Sequence, residues 1–387
     1  MDKEMTPREL MERLISFPTV SRESNLDLIG FVEKYLEDHD IPSTRVPDPT
    51  GDKAALYAHV GPQVEGGVVL SGHTDVVPVD GQAWDTDPFE VIEKGGKLFG
   101  RGTCDMKGFD ALAIWALVQA KKRGVTRPLQ LALSYDEEVG CVGAPPMIDA
   151  MIASGMPRAG AAIIGEPSMM KVVTGHKGGL GFAVHMRGFE VHSSLIHEGV
   201  SAIMFGAKLI DWCNTVNAEN AVKPSLEMDA GFVPPYTTAH VGMVTGGTAH
   251  NITAKDCNFV VTFRVVPGKS IAYWTERLDE KVGEIQAEMQ AIHPDTGIDV
   301  SPSFLVPGLK PEIEGNAEEL VRQLTGDNGI HVVSYGTEAG QFQERGYSAV
   351  ICGPGDIAQA HQPNEFITID QFNEGKAFME RLLESLS

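Results

Sequence analysis

The run Gly67-Val68-Val69-Leu70-Ser71-Gly72-His73-Thr74-Asp75 sets the reading of the whole chain. Its first four residues are an apolar, strand-like stretch with no polar alternation, the pattern of a strand buried on both faces. A histidine and an aspartate follow at once. In extended chain an H-x-D pair points both side chains to one face, so Asp75 is placed to accept from His73 and fix its tautomer. Taken alone, the pair also fits a surface or satisfied core histidine.

Outward from this run the same rhythm recurs. Leu129 to Tyr135 and Ala161 to Ile164 are further strand-like runs, and a helix from about Gly108 to Lys122 lies between the first two strands, closed by Gly124. Upstream, Thr6, Pro7 and Glu9 make a capping box for a first helix, and Leu28, Val32, Tyr35 and Leu36 form one face of a second, from about Leu26 to Asp38. Alternating strands and helices predict an α/β domain with a largely parallel sheet flanked by helices. The middle third reads differently. Gly179 to Met186, Ser201 to Val216, His240 to Val244, Asn258 to Val265, Ile271 to Ile292 and Ile298 to Phe304 give the order β-α-β-β-α-β of a ferredoxin-like α+β domain. Ala349 to Cys352 then reads as a strand of the first domain. The expected organisation is an inserted domain at 178–303 inside a catalytic domain at 1–177 and 304–387.

Composition bounds the function. Across 387 residues the formal net charge is −22, which repels nucleic acid and anionic membranes, so neither is an expected partner. The five cysteines (104, 141, 213, 257 and 352) form no CxxC pair and predict reduced thiols. The charged start Met1-Asp2-Lys3-Glu4 lacks a signal peptide's apolar core, and no apolar run approaches a bilayer span of roughly 18 residues; a cytoplasmic location is expected.

Four more acid- or histidine-bearing segments stand at the ends of apolar runs or helices. Asp105 precedes a helix, where an N-cap aspartate is equally expected. Asp136-Glu137-Glu138 and Glu166 each follow a strand, and His361 lies in a Gly/Pro-rich loop after Ala349 to Cys352. Adjacent acids usually form a solvated turn. Several strand exits each presenting a histidine or carboxylate suit catalytic zinc instead, and two histidines with three carboxylates suit two ions rather than one. With two Zn²⁺, the acids Asp105, Glu138 and Glu166 plus one hydroxide sum to zero charge.

These stretches carry a resemblance. SGHTDVVP (71–78), GRGTCDMKG (100–108), SYDEEVG (134–140), IIGEPS (163–168), GFEVHSS (188–194) and AHQPNEF (360–366) are similar, in order and spacing, to the acetylornithine deacetylase / succinyl-diaminopimelate desuccinylase family of di-zinc hydrolases. GTEAGQF (336–342) and GPGDIAQAHQPNEF (353–366) place the chain nearest the acetylornithine deacetylases within it. The resemblance implies that His73 and Glu166 bind one zinc, Glu138 and His361 the other, and that Asp105 bridges them; Co²⁺ or Mn²⁺ are substitutes. It implies Glu137 as general base, Asp75 as the residue orienting His73, and a cis Asp105-Met106 peptide. The inserted domain becomes a lid and dimerisation domain, so that a homodimer is expected, with His192 reaching the partner's active site and Asn251 and Arg264 contacting the substrate carboxylate. Glu338 is a candidate partner for the ammonium of ornithine, or else a surface glutamate. The implied reaction is hydrolysis of N-acetyl-L-ornithine to L-ornithine and acetate, a step of arginine biosynthesis. A broader N-acyl-amino-acid deacylase, a desuccinylase, or a dipeptidase or carboxypeptidase shares the same ligands. A non-catalytic binding protein that kept the fold is the reading from another class.

Overall fold

The computed structural model describes residues 4–223 and 225–387. The chain forms two compact units. One comprises Met1–Gly175, Pro311–His331 and Thr337–Ser387; the other comprises His176–Lys310 and Val332–Gly336. The sequence reading closed the inserted domain at 303. The strand Gly297–Val306 runs past that point, pairing as far as Val306 with Gly179, and ends at Pro307-Gly308.

The first unit is organised by a sheet whose strands follow the spatial order Ser43–Pro47, Ala54–Val60, Leu129–Ser134, Val68–His73, Ala161–Pro167 and Ala349–Gly353. Val68–His73 runs parallel to both of its neighbours, and Ala349–Gly353 runs parallel to Ala161–Pro167. Every residue of these four strands is buried, which is why their sequences show apolar runs rather than alternation. Parallel strands all end on the same side, so whatever follows each of them is gathered along one edge. The helix Lys107–Arg123 is buried around almost its whole circumference and ends at left-handed Gly124 (φ 66°). Its Leu112 and Ile114 share one apolar core with Leu70, Leu131 and Ile163 of the sheet, Leu10 and Leu14 of the helix Pro7–Ile15, and Phe378 and Leu382 of the helix Ile369–Leu386. The predicted capping box is formed, Thr6 accepting from Glu9 N and Glu9 from Thr6 N. A small sheet of Ile92–Lys94, Lys97–Phe99 and Phe366–Thr368, invisible in the sequence pattern, ties the chain's late loop to Lys97–Phe99.

The inserted unit has the order strand Gly178–Arg187, helix Ala202–Val222, strands Thr238–Gly246 and Asp256–Val265, helix Ile271–Ile292 and strand Gly297–Val306. Its antiparallel sheet has the spatial order Thr238–Gly246, Asp256–Val265, Gly178–Arg187, Gly297–Val306. This is the ferredoxin-like α+β arrangement. Asp256–Val265 alternates cleanly, as a strand covered on one face must, and Leu180, Phe182, Val184 and Met186 of the neighbouring strand pack with Leu209 and Trp212 of one helix and Trp274 and Leu278 of the other. Among the described residues no helix is long and apolar enough to cross a membrane, and all five cysteines are free and buried.

Gly353 shows how tightly the parallel strands approach where their register shifts. A Cβ at this position would lie 1.9 Å from the Gly165 carbonyl oxygen, a backbone atom beside Glu166. Overpacking against backbone typically costs about 1–3 kcal/mol. We expect Gly353→Ala to lower stability by at least that much, read as a fall in the urea midpoint at unchanged m-value.

Candidate metal centre

Each acid or histidine arrives at the sheet's edge by its own local route. His73 is the last residue of its strand, and Glu166 lies near the end of Ala161–Pro167. Glu137 and Glu138 follow Leu129–Ser134 after a turn at Asp136, which takes a left-handed conformation (φ 54°). Asp105 stands just ahead of the helix Lys107–Arg123; Met106, not Asp105, is the N-cap, and the Asp105-Met106 peptide is cis. His361 follows the short turn Ile357–Gln359 and is itself left-handed (φ 62°), a sparsely populated conformation for a side-chain-bearing residue.

These residues converge. His73 Nε2 lies 3.1 Å from Asp105 Oδ1 and 3.9 Å from Glu166 Oε1. His361 Nε2 lies 3.3 Å from Asp105 Oδ2 and 3.0 Å from Glu138 Oε2. Asp105 therefore turns one oxygen to each histidine. Potential ligand atoms of His73, Asp105 and Glu138 lie within 4.8 Å of one another, as do those of His73, Glu137 and Glu166.

The acids of this cluster are neutralised either by protons or by a bound cation. Burial raises the carboxyl of Glu166 well above its ordinary range, and repulsion from Asp105 and Glu137 adds to this. Glu137 is raised by burial and by Glu138 and Glu338 against the attraction of His73, and Glu138 by burial and Asp105. Burial works against Asp105 too, but hydrogen bonds from His361 and His73 outweigh it and hold the group ionised. Those same bonds, to Asp105 and Glu138, push His361 up to about 10. Glu138 Oε1 is buried without a hydrogen-bond partner among the described residues. Hard oxygen and imidazole donors, clustered with an unused lone pair, fit one or more divalent metal ions.

The support of the cluster was only partly visible in the sequence. His73 Nδ1 donates to the Asp75 backbone carbonyl at 3.0 Å, while the nearer carboxylate oxygen is 3.5 Å away. The Asp75 carboxylate accepts instead from Ser21 Oγ (2.8 Å), Glu137 N (3.1 Å) and Glu138 N (3.3 Å), joining the His73 and Glu138 segments. Glu365 escaped the sequence reading, although it stands four residues after His361. Its Oε1 accepts from the backbone N–H of Gly102 (3.0 Å), Cys104 (2.9 Å) and Asp105 (3.1 Å), and its Oε2 from Arg101 (2.6 Å). Its position in the quoted AHQPNEF stretch was the one available signal. Glu338 is 1% exposed, and its two oxygens accept from Ser71 Oγ (3.1 Å) and Ser134 Oγ. It is not the surface glutamate that the sequence left open.

His192, Asn251 and Arg264 belong to the inserted unit, and all three are exposed on it. His192 caps the turn Ser193–Leu195, its Nδ1 accepting from Ser194 N at 3.2 Å, and Asn251 accepts from Ser193 N at 2.9 Å. Arg264 lies on the open face of the sheet, opposite Gly179 and Thr238.

A cluster of buried His73, Asp105 and Glu166 with part-buried Glu137 and Glu138 and the more exposed His361, gathered at the edge of a parallel sheet, defines a metal-dependent hydrolase when set beside known proteins. Residues 69–385 match the model of peptidase family M20/M25/M40, and the chain belongs to that family. Acetylornithine deacetylase of Myxococcus xanthus is 34% identical over 390 residues, covering 97% of this chain and 96% of that protein. Acetylornithine deacetylase of Pasteurella multocida (strain Pm70) is 31% identical, with 97% and 96% covered. Among solved structures, an M20 family metallo-carboxypeptidase from Sulfolobus solfataricus superposes with a TM-score of 0.79 at 17% identity, covering 98% of this chain and 99% of that one. A dinuclear metal binding M20 peptidase from Bacillus subtilis gives 0.65 at 15% identity, with 98% and 97% covered. The chain is thus an M20 metal-dependent amide hydrolase.

Glu365 supplies the sharpest test of the support. Removing it leaves Arg101, 1% exposed, without its buried partner, and three backbone N–H groups lose their acceptor. Breaking a buried ion pair costs about 3–5 kcal/mol. Glu365→Ala is expected to lose stability of that order and to bind metal about 10–100-fold more weakly. Denaturant unfolding and a metal titration against a competing chelator read the two effects.

Proposed function

We propose that this chain hydrolyses N-acetyl-L-ornithine to L-ornithine and acetate with the aid of two zinc ions. The observation that carries the two-ion part is the placement of Asp105, with one oxygen toward His73 and the other toward His361. The substrate rests on the chain's relatives: acetylornithine deacetylases match it at 31–34% identity over 97% of its length.

In this reading His73 and Glu166 hold one ion, Glu138 and His361 the other, and Asp105 serves both. Bound there, the ions polarise the amide carbonyl and lower the pKa of a water molecule. The remaining chemistry belongs to side chains. Glu137 takes the proton of the attacking water and passes it to the departing amine. Burial and its acidic neighbours raise the affinity of its carboxyl for that proton, which suits a group that must hold it between the two steps. Asp75 keeps His73 oriented and links its strand to Glu137 and Glu138. His192 stabilises the oxyanion that develops in the transition state, and Asn251 and Arg264 take the substrate carboxylate. These three roles, and dimerisation through the inserted unit with His192 acting across it, rest on the family resemblance.

The test compares N-acetyl-L-ornithine with N-acetyl-L-methionine, N-succinyl-diaminopimelate and a dipeptide, with added zinc and with chelator. Preference for N-acetyl-L-ornithine, lost with chelator and reduced about 10²–10⁴-fold in Glu137→Ala, is the expected result. Preference for one of the other amides moves the chain to another branch of its family. Light scattering at micromolar concentration is expected to give the mass of a dimer; a monomer removes His192 from the mechanism.

A further inference from the structure

The short helix Ala339–Glu344 and the residue that caps it, Glu338, carry two buried polar side chains aimed at the segments that hold the centre. Glu338 accepts from Ser71 and Ser134, which lie on adjacent parallel strands. Ser71 is two residues ahead of His73, and Ser134 three ahead of Glu137. One turn along, Gln341, 2% exposed, donates from Nε2 to the Cys141 carbonyl oxygen at 3.0 Å. Cys141 is also buried, and its Sγ donates to Glu137 Oε1 at 3.2 Å.

Cys141 closes a tight turn on Glu137, its own N–H bonding to the Glu137 carbonyl at 2.9 Å. It does so in the left-handed region (φ 53°), where glycine would sit without penalty. The side chain kept at that position is a donor to the carboxylate. A thiol bonded to Oε1 restrains the long glutamate side chain and leaves Oε2 for another partner. Glu338, by contrast, is poorly placed for a substrate ammonium, because both its oxygens are engaged and the group is buried.

We infer that Glu338 and Gln341 are positioning residues, one tying together the strands that carry His73 and Glu137-Glu138, the other anchoring Cys141 so that its thiol fixes the carboxylate of Glu137. The inference rests on the reading of Glu137 as the proton carrier. It departs from the sequence expectation that Glu338 contacts substrate.

The experiment uses the metal-loaded full chain and the amide it hydrolyses fastest. It measures kcat, KM, metal content and the thermal midpoint for Cys141→Ala, Cys141→Ser, Gln341→Ala, Glu338→Gln and Glu137→Gln. Cys141→Ala should keep its metal and KM while kcat falls about tenfold, the scale of one hydrogen bond. Cys141→Ser, which restores a donor, should return kcat to within about threefold of the parent. Gln341→Ala should lower kcat in the same direction. Glu338→Gln should leave the ratio of rates on N-acetylornithine and N-acetylmethionine unchanged. A Cys141→Ala enzyme with parental kcat overturns the inference, as does a loss that serine does not recover or that follows metal loss. A changed substrate ratio in Glu338→Gln returns that residue to the substrate. Glu137→Gln separates the two levels: parental activity there removes the proton-carrier reading itself, whereas an inactive Glu137→Gln beside a parental Cys141→Ala removes only the positioning role.

Discussion

Mutual repulsion among buried carboxylates is the constraint around which this protein is built. Asp105, Glu137, Glu138 and Glu166 lie together at one edge of the sheet, largely withdrawn from water, with two imidazoles as their nearest cationic partners. Burying like charges costs several kcal/mol per group unless each is paired. The imidazoles meet that demand only in part. Asp105 is held ionised by both, while burial drives Glu137, Glu138 and Glu166 toward their neutral forms. Such a cluster is poor as a device for stability and well suited to holding divalent cations.

The surrounding fold can be understood as what keeps that cluster in place. Parallel strands buried on both faces deliver His73, Glu137-Glu138 and Glu166 to the same edge. The contact of Gly353 with the Gly165 backbone sets the spacing next to Glu166. Loops that would otherwise be free are tied from a distance: Asp75 joins the His73 and Glu138 segments, Glu365 gathers three backbone N–H groups around Asp105, and the small sheet pairs Phe366–Thr368, just after the His361 loop, with Lys97–Phe99. Most of these ties are charge-assisted hydrogen bonds from backbone N–H groups to carboxylates, which are stronger than neutral ones.

Much of this was legible in one dimension. Apolar runs that end in His73, Glu137-Glu138 and Glu166 read as buried strands with functional exits, because fully buried strands lose their alternation and local sequence shows it. The inserted unit was legible for the opposite reason, since Asp256–Val265 alternates buried and exposed residues as a one-sided strand must. The clustered acids and histidines stood out through their type and through their position, after strands for His73, Glu137-Glu138 and Glu166, before a helix for Asp105 and in a loop for His361. What was not legible depends on contacts far apart in the chain. Glu365 meets residues 101–105, Glu338 meets Ser71 and Ser134, and Phe366–Thr368 pairs with Lys97–Phe99. No local periodicity reports such pairs. Asp75 illustrates the middle case: the alternation of extended chain suggested that its carboxylate serves His73, and the carboxylate does lie 3.5 Å from the ring, but the backbone carbonyl makes the shorter contact at 3.0 Å and the carboxylate also holds two backbone N–H groups.

The central claim is that these acids are buried together because metal ions neutralise them. A crystal structure of the zinc-loaded protein, with anomalous diffraction measured on both sides of the zinc edge, tests it most directly. Two anomalous peaks about 3.5–4 Å apart, one beside His73 and Glu166, the other beside His361 and Glu138, with Asp105 between them, are the predicted result. Saturating zinc with no peak among these residues would contradict the account and leave the buried acids to be explained by protonation alone.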